Sequence, residues 1–237
     1  MPKPSLTLYA LSVCTAVVIL TGCGGGTASQ LAPSAPMQQN AAHLGSSSQS
    51  GRAQPNREPI WWMFYYTPSG YQLLRTQADY ASGTASFTFV AGVFTALLTT
   101  KDESLTGDLT GKQLSDNVAV SGATSAFVTQ NGGSCSNSPT VRFFFRRSGF
   151  DNTHFWWANP QSYTLANGGA TLTASLADPS QWSDWNGKFG TSHPRDFYAA
   201  VAHVSQIGLS YGGGCFFENG ATVSSGSALF TSQFSEI

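Results

Sequence analysis

A two-residue hydrophobic period, restarted every few residues by turn-forming side chains, restricts the fold of this chain more than any other feature. In the stretch GATLTASLA at 169–177, Leu172, Ala174 and Leu176 alternate with Thr171, Thr173 and Ser175. A strand puts alternate side chains on opposite faces, so this pattern describes a half-buried antiparallel strand. Residues 84–91 (TASFTFVA) alternate likewise and place Phe87 and Phe89 on one face. The run from Ile60 to Tyr66 (IWWMFYY) ends at the turn signal Thr67-Pro68-Ser69-Gly70. Further strands are expected at 93–99, 103–109, 117–128, 140–147, 153–158, 204–211, 214–218 and 226–235. Only 10% of residues are charged, while 41% are hydrophobic and 13% aromatic. Such a chain lacks the surface charge of long exposed helices, and its short strands suit a sandwich or jelly roll. One helix is expected over 194–203. Pro194 fits a first helical position, and Phe197, Ala200, Val201 and Val204 form an apolar stripe.

Before this body lie two segments of different character. Residues 5–20 are uncharged and mostly apolar behind Lys3, the plan of a secretory signal too short for a stable membrane anchor. The run closes on Leu20-Thr21-Gly22-Cys23, which resembles a bacterial lipobox. The resemblance implies cleavage before Cys23 and a lipid on its thiol, an anchor through which the chain would meet a membrane. Each buried methylene of such a lipid contributes about 0.8 kcal/mol. Gly24 at the next position implies delivery to the outer membrane where the cell has one, and otherwise to the outer face of the cell membrane. An ordinary secretory signal with an incidental cysteine is the alternative. From Gly24 to about Glu58 the chain is rich in Gly, Ser, Gln, Pro and Ala without apolar periodicity. It buries too little to offset its ordering entropy, so a disordered tether reaching some 30–35 Å is expected. The expected organisation is a signal at 1–22, a lipidated linker at 23–58 and a β-sandwich at 59–237.

Within the body, four motifs stand out: Leu105-Thr106-Gly107-Asp108-Leu109, Val141-Arg142-Phe143-Phe144-Phe145, Trp182-Ser183-Asp184-Trp185-Asn186-Gly187-Lys188, and Ile207-Gly208-Leu209-Ser210-Tyr211-Gly212-Gly213-Gly214. Together they resemble a largely uncharacterised bacterial extracellular domain, similar in turn to the galactose-binding-like jelly rolls of carbohydrate-binding modules. The resemblance implies an all-β antiparallel sandwich of jelly-roll type.

Of four cysteines, Cys14 lies in the leader and Cys23 in the lipid motif, leaving Cys135 and Cys215. An even pair in an exported domain is expected to form one disulfide. It would close a loop of roughly 80 residues, for which chain entropy gives about 4–5 kcal/mol at most. A zinc site is the alternative, but two thiols without a paired histidine motif speak against it. No D-x-D-x-D loop is present, so no calcium, and no other metal or cofactor, is expected.

Catalytic signatures are missing. The sequence holds no G-x-S-x-G, H-E-x-x-H, phosphate-binding glycine loop or C-x-x-C. Its acids are scattered among turns, and His154, His193 and His203 suit structural positions, so an enzyme is the least supported class. A net charge of −1 disfavours nucleic acid as a partner. Aromatics offer the stronger lead, because sugar rings stack their C–H faces on aromatic rings while hydroxyls need polar neighbours. Arg142, Phe144 and Arg146 share one face of the 140–147 strand, and Trp156, Trp182, Asp184, Trp185 and Asn186 are further candidates. For each tryptophan core packing is favoured over ligand contact, while for Phe144 between Arg142 and Arg146 the two readings are balanced. Two functions stay open: a surface-anchored, non-catalytic module that binds an extracellular glycan, or a structural envelope lipoprotein that binds another envelope protein.

Overall fold

The computed structural model describes residues 58–67, 73–130, 138–159, 162–213 and 219–236. The leader, Cys23, the tether, Cys135, Cys215 and the expected 214–218 strand lie outside the described residues.

In chain order the strands are β1 (Trp61–Tyr66), β2 (Leu74–Gln77), β3 (Asp79–Ala81), β4 (Thr84–Val90), β5 (Phe94–Thr100), β6 (Gln113–Ser121), β7 (Phe127–Thr129), β8 (Thr140–Arg147), β9 (Phe155–Ala158), β10 (Tyr163–Thr164), β11 (Gly168–Ser175), β12 (Trp182–Asp184), β13 (Val204–Gly212), β14 (Ala221–Val223) and β15 (Ser227–Glu236). Helix α1 (Pro194–Val201) precedes β13. One sheet runs β11-β6-β15-β4-β3 and the other β12-β9-β8-β13-β5-β1-β2, with β10 and β14 joined to its margins and β7 paired to β14. Every pairing is antiparallel. Strands β4, β5, β6, β8, β9, β11, β13 and β15 distribute between the sheets in the order of a jelly roll, with β1 and β2 added beside β5. Among the described residues, the expected all-β sandwich with one short helix is the fold observed.

The core follows from the alternation. Strand β6 sends Leu114, Val118 and Val120 inward, β4 sends Phe87 and Phe89, and β15 sends Ala228 and Phe230. Opposite them stand Val141, Phe143 and Phe145 of β8 and Ile207, Leu209 and Tyr211 of β13. Phe87, Phe89, Tyr211 and Phe230 meet mostly edge to face, with centroids 4.8–5.9 Å apart, a geometry that aligns ring edges with ring faces. Helix α1 caps this core by placing Phe197 against Trp156 at 5.0 Å and Phe145 at 6.0 Å.

Several expected boundaries move, each for a local reason. The 103–109 segment is a chain of turns, with Gly107 forming an isolated bridge to Val204. Asp102 accepts hydrogen bonds from the Ser104 amide and hydroxyl, and Gly107 has φ of 99°; side-chain capping therefore wins over strand pairing. The expected 117–128 strand begins at Gln113 and stops at Gly122, whose φ is 75°. Asp151 caps a 3-10 turn at Asn152–His154, so β9 starts only at Phe155. The helix ends at Val201, two residues earlier than expected.

Candidate ligand-binding groove

The outer face of the larger sheet is where this sandwich departs from an ordinary polar exterior. In β1, Trp61 and Met63 are buried in the core, leaving Trp62, Phe64 and Tyr66 outside. In β5 the register shifts opposite Phe64 and Tyr65. Leu97 and Thr99 face outward by alternation while Leu98 stays inside, and the bulge adds the unpaired Ala96 to the outer cluster beside Leu97. In β8 and β9 the outward residues are Arg142, Phe144, Arg146, Phe155 and Trp157. Ala96, Leu97, Phe144 and Trp157 form a second buried apolar cluster, with Phe64, Tyr66 and Phe155 packed against it.

Register aligns these residues in rows across the strands. One row runs Trp157, Phe144, Gly208, Thr99 and Trp62, each paired with the next. A second runs Arg142, Ser210, Leu97, Phe64 and Arg75. A third joins Phe155, Arg146 and Gln206. Gly208 sits between Phe144 and Thr99, and a Cβ there would lie 2.2 Å from the Leu98 carbonyl oxygen. The strand can pass only without a side chain, which lowers the sheet surface between the rings.

The result is a groove of about 440 Å³, lined by Trp62, Phe64, Tyr66, Leu73, Arg75, Leu97, Thr99, Lys101, Phe144, Arg146, Phe150, Phe155, Trp185 and Gln206. Phe144 is its floor at 1% exposure, whereas Trp185 is 41% and Phe150 88% exposed at the rim. Two guanidiniums lie on aromatic faces: Arg75 is 4.8 Å from the Trp62 centroid, and Arg146 is 4.6 Å from Phe155 and 5.3 Å from Phe150. Arg146 also donates to the Gly149 carbonyl at 3.0 Å. Burial lowers its pKa from the ordinary value. Gln206 donates to the Thr99 hydroxyl at 2.6 Å. A second hollow of about 320 Å³ at the sandwich margin is lined, among the described residues, by no charged side chain and by one aromatic ring, Phe127.

The sequence candidates separate along these lines. Phe144, Arg146 and Trp185 come together in the groove. Arg142 shares their face but binds the Asn159 carboxamide oxygen and does not line the groove. Trp156 and Trp182 lie fully in the interior, their indole N–H groups donating to the Thr153 and Ser175 carbonyls. Asp184 is buried as a turn hub, accepting from the Asn186 and Lys188 amides at 2.9 Å. His193 Nε2 stands 3.4 Å from its second oxygen without hydrogen-bond geometry. Asn186 is exposed and accepts from Asn152. Sequence reasoning missed the opposite wall of Trp62, Phe64, Tyr66 and Arg75. The alternation in WWMFYY carried that signal, but which face was outward depended on where β1 joined the sheet.

No model of a known protein family matches this chain, and no curated protein matches it.

Proposed function

We propose that this chain is a lipid-anchored envelope protein whose jelly-roll domain is a non-catalytic carbohydrate-binding module, with the outer-face groove as its binding site. In this reading Cys23 carries the lipid, and Cys135 and Cys215 form a disulfide. The observation that carries the proposal is the groove itself: partly exposed Trp62, Phe155 and Trp185 rings stand beside Arg75, Arg146, Lys101 and Gln206. Trp185, 41% exposed, supplies a ring for sugar C–H groups, Trp62 and Phe155 offer the ring surface that their stacked guanidiniums leave uncovered, and the polar heads reach hydroxyls at the edges. No carboxylate or imidazole lines the groove among the described residues, so no acid pair spans a bound glycosidic link there.

The test is a glycan array probed with the full chain in detergent, beside Trp62→Ala and Trp185→Ala variants. Wild-type binding that falls at least about tenfold in either variant is expected, since stacked rings typically dominate such contacts. If the folded wild type binds no glycan, the proposal fails and the exposed Phe150 and Trp185 rims favour docking to another envelope protein.

A further inference from the structure

We infer that the groove selects polysaccharides bearing acidic groups, carboxylate or sulfate, over neutral ones; this rests on the carbohydrate reading above and deepens it. The lining contributes three cations, Arg75, Lys101 and Arg146, and no anion among the described residues. In a chain whose net charge is −1, that local excess is a property of the site. None of the three forms an ion pair among the described residues. Carboxylates flank the groove without entering it. Asp102 and Glu103 line a separate depression with Lys101 and Trp62, and Asp102 accepts from Ser104. Asp151 faces His154 at 2.9 Å.

The placement of the cations bears on ligand size. Arg146 is on β8, Lys101 directly follows β5 two strands away, and Arg75 is on β2 two strands farther out. With strands about 4.8 Å apart, the charges are spread over roughly 19 Å of sheet. A single acidic sugar cannot reach both ends; a chain of them can. Stacking on Trp62 and Phe155 holds the Arg75 and Arg146 guanidiniums in place before a ligand arrives. Their planar forks match carboxylate and sulfate oxygens alike.

The full chain in detergent would be titrated with four probes at low and high salt: polygalacturonate, dextran sulfate, neutral dextran and polyacrylate. Arg75→Gln, Arg146→Gln and the double variant would be measured beside it, with thermal melts to verify folding. Expected is at least about tenfold tighter binding of one or both acidic polysaccharides than of dextran, weakened by salt and about tenfold by each folded variant. Preference for polygalacturonate assigns the acid as carboxylate, and preference for dextran sulfate assigns it as sulfate. Equal binding of dextran would overturn acidic selectivity while leaving the carbohydrate reading intact. Polyacrylate binding as tightly as the acidic polysaccharides would overturn sugar recognition in favour of bare charge. If no probe binds, or if the folded double variant binds as the wild type does, the inference falls.

Discussion

Asp116 is the most exceptional single residue in the core. It sits on the inward face of β6, where its neighbours in the alternation are leucine and valine, and burial pushes its pKa up to about 7. Ser232 donates to Oδ2 at 2.7 Å, but Oδ1 has no hydrogen-bond partner among the described residues, nor does the buried Tyr211 hydroxyl, whose own pKa is raised by burial and by Asp116. A carboxylate in that position is poorly compensated, so the folded protein favours the protonated acid. The folded state therefore holds a proton that the unfolded chain releases near the ordinary aspartate value of 3.8. Stability is full below about pH 4, falls as pH rises toward about 7, and is flat above. The difference between 3.8 and about 7 sets an upper figure of about 4 kcal/mol. Asp108, Asp151 and Asp178 are shifted the other way, chiefly by hydroxyl donors two residues on, so their losses of stability come at more acid pH. Thermal melts from pH 4.5 to 8 should show the wild type losing stability as pH rises, and Asp116→Asn should remove most of that slope. An unchanged slope in the variant would assign the effect elsewhere.

Among the elements, β8 serves two surfaces and α1 serves one. Strand β8 divides its side chains between the core, which receives Val141, Phe143 and Phe145, and the groove, which receives Phe144 and Arg146. Alternation alone separates these two sets, whereas the depth of Phe144, 1% exposed, comes from the neighbouring strands. Helix α1 does the opposite, closing the core with Phe197 at its centre. That ring contacts Phe145, Trp156, Trp182 and Tyr198. Phe197→Ala should cost about 3–5 kcal/mol in denaturant melts, the usual penalty for an aromatic cavity. A loss below about 1 kcal/mol would mean that the helix packs only loosely on the sandwich. The short strands β2, β3, β10 and β14 escaped sequence reasoning because two to four residues cannot display a period. They exist because a longer neighbour offers its edge.

As one chain, the proposed lipoprotein joins a binding domain to an anchor. Expressed with its leader, the full chain should partition into the detergent phase, and Cys23→Ser should shift it to the aqueous phase. Mass spectrometry should find the lipid on Cys23 in the first case; an unmodified residue upstream of Cys23 would remove the anchor from the reading. Composition and local period carried the fold class, the place of the helix and the inward faces of β4, β8 and β11, because those depend on neighbours one or two residues away. They could not assemble the groove. Its walls come from β1, β8, β9 and the Trp185 turn, segments far apart in the chain that meet only through strand order, and its shape depends on Gly208 passing close to β5. The same distance effect separates Trp185 at the rim from Trp182 in the core: three residues apart and chemically alike, they were distinguished only when the sandwich closed around one of them.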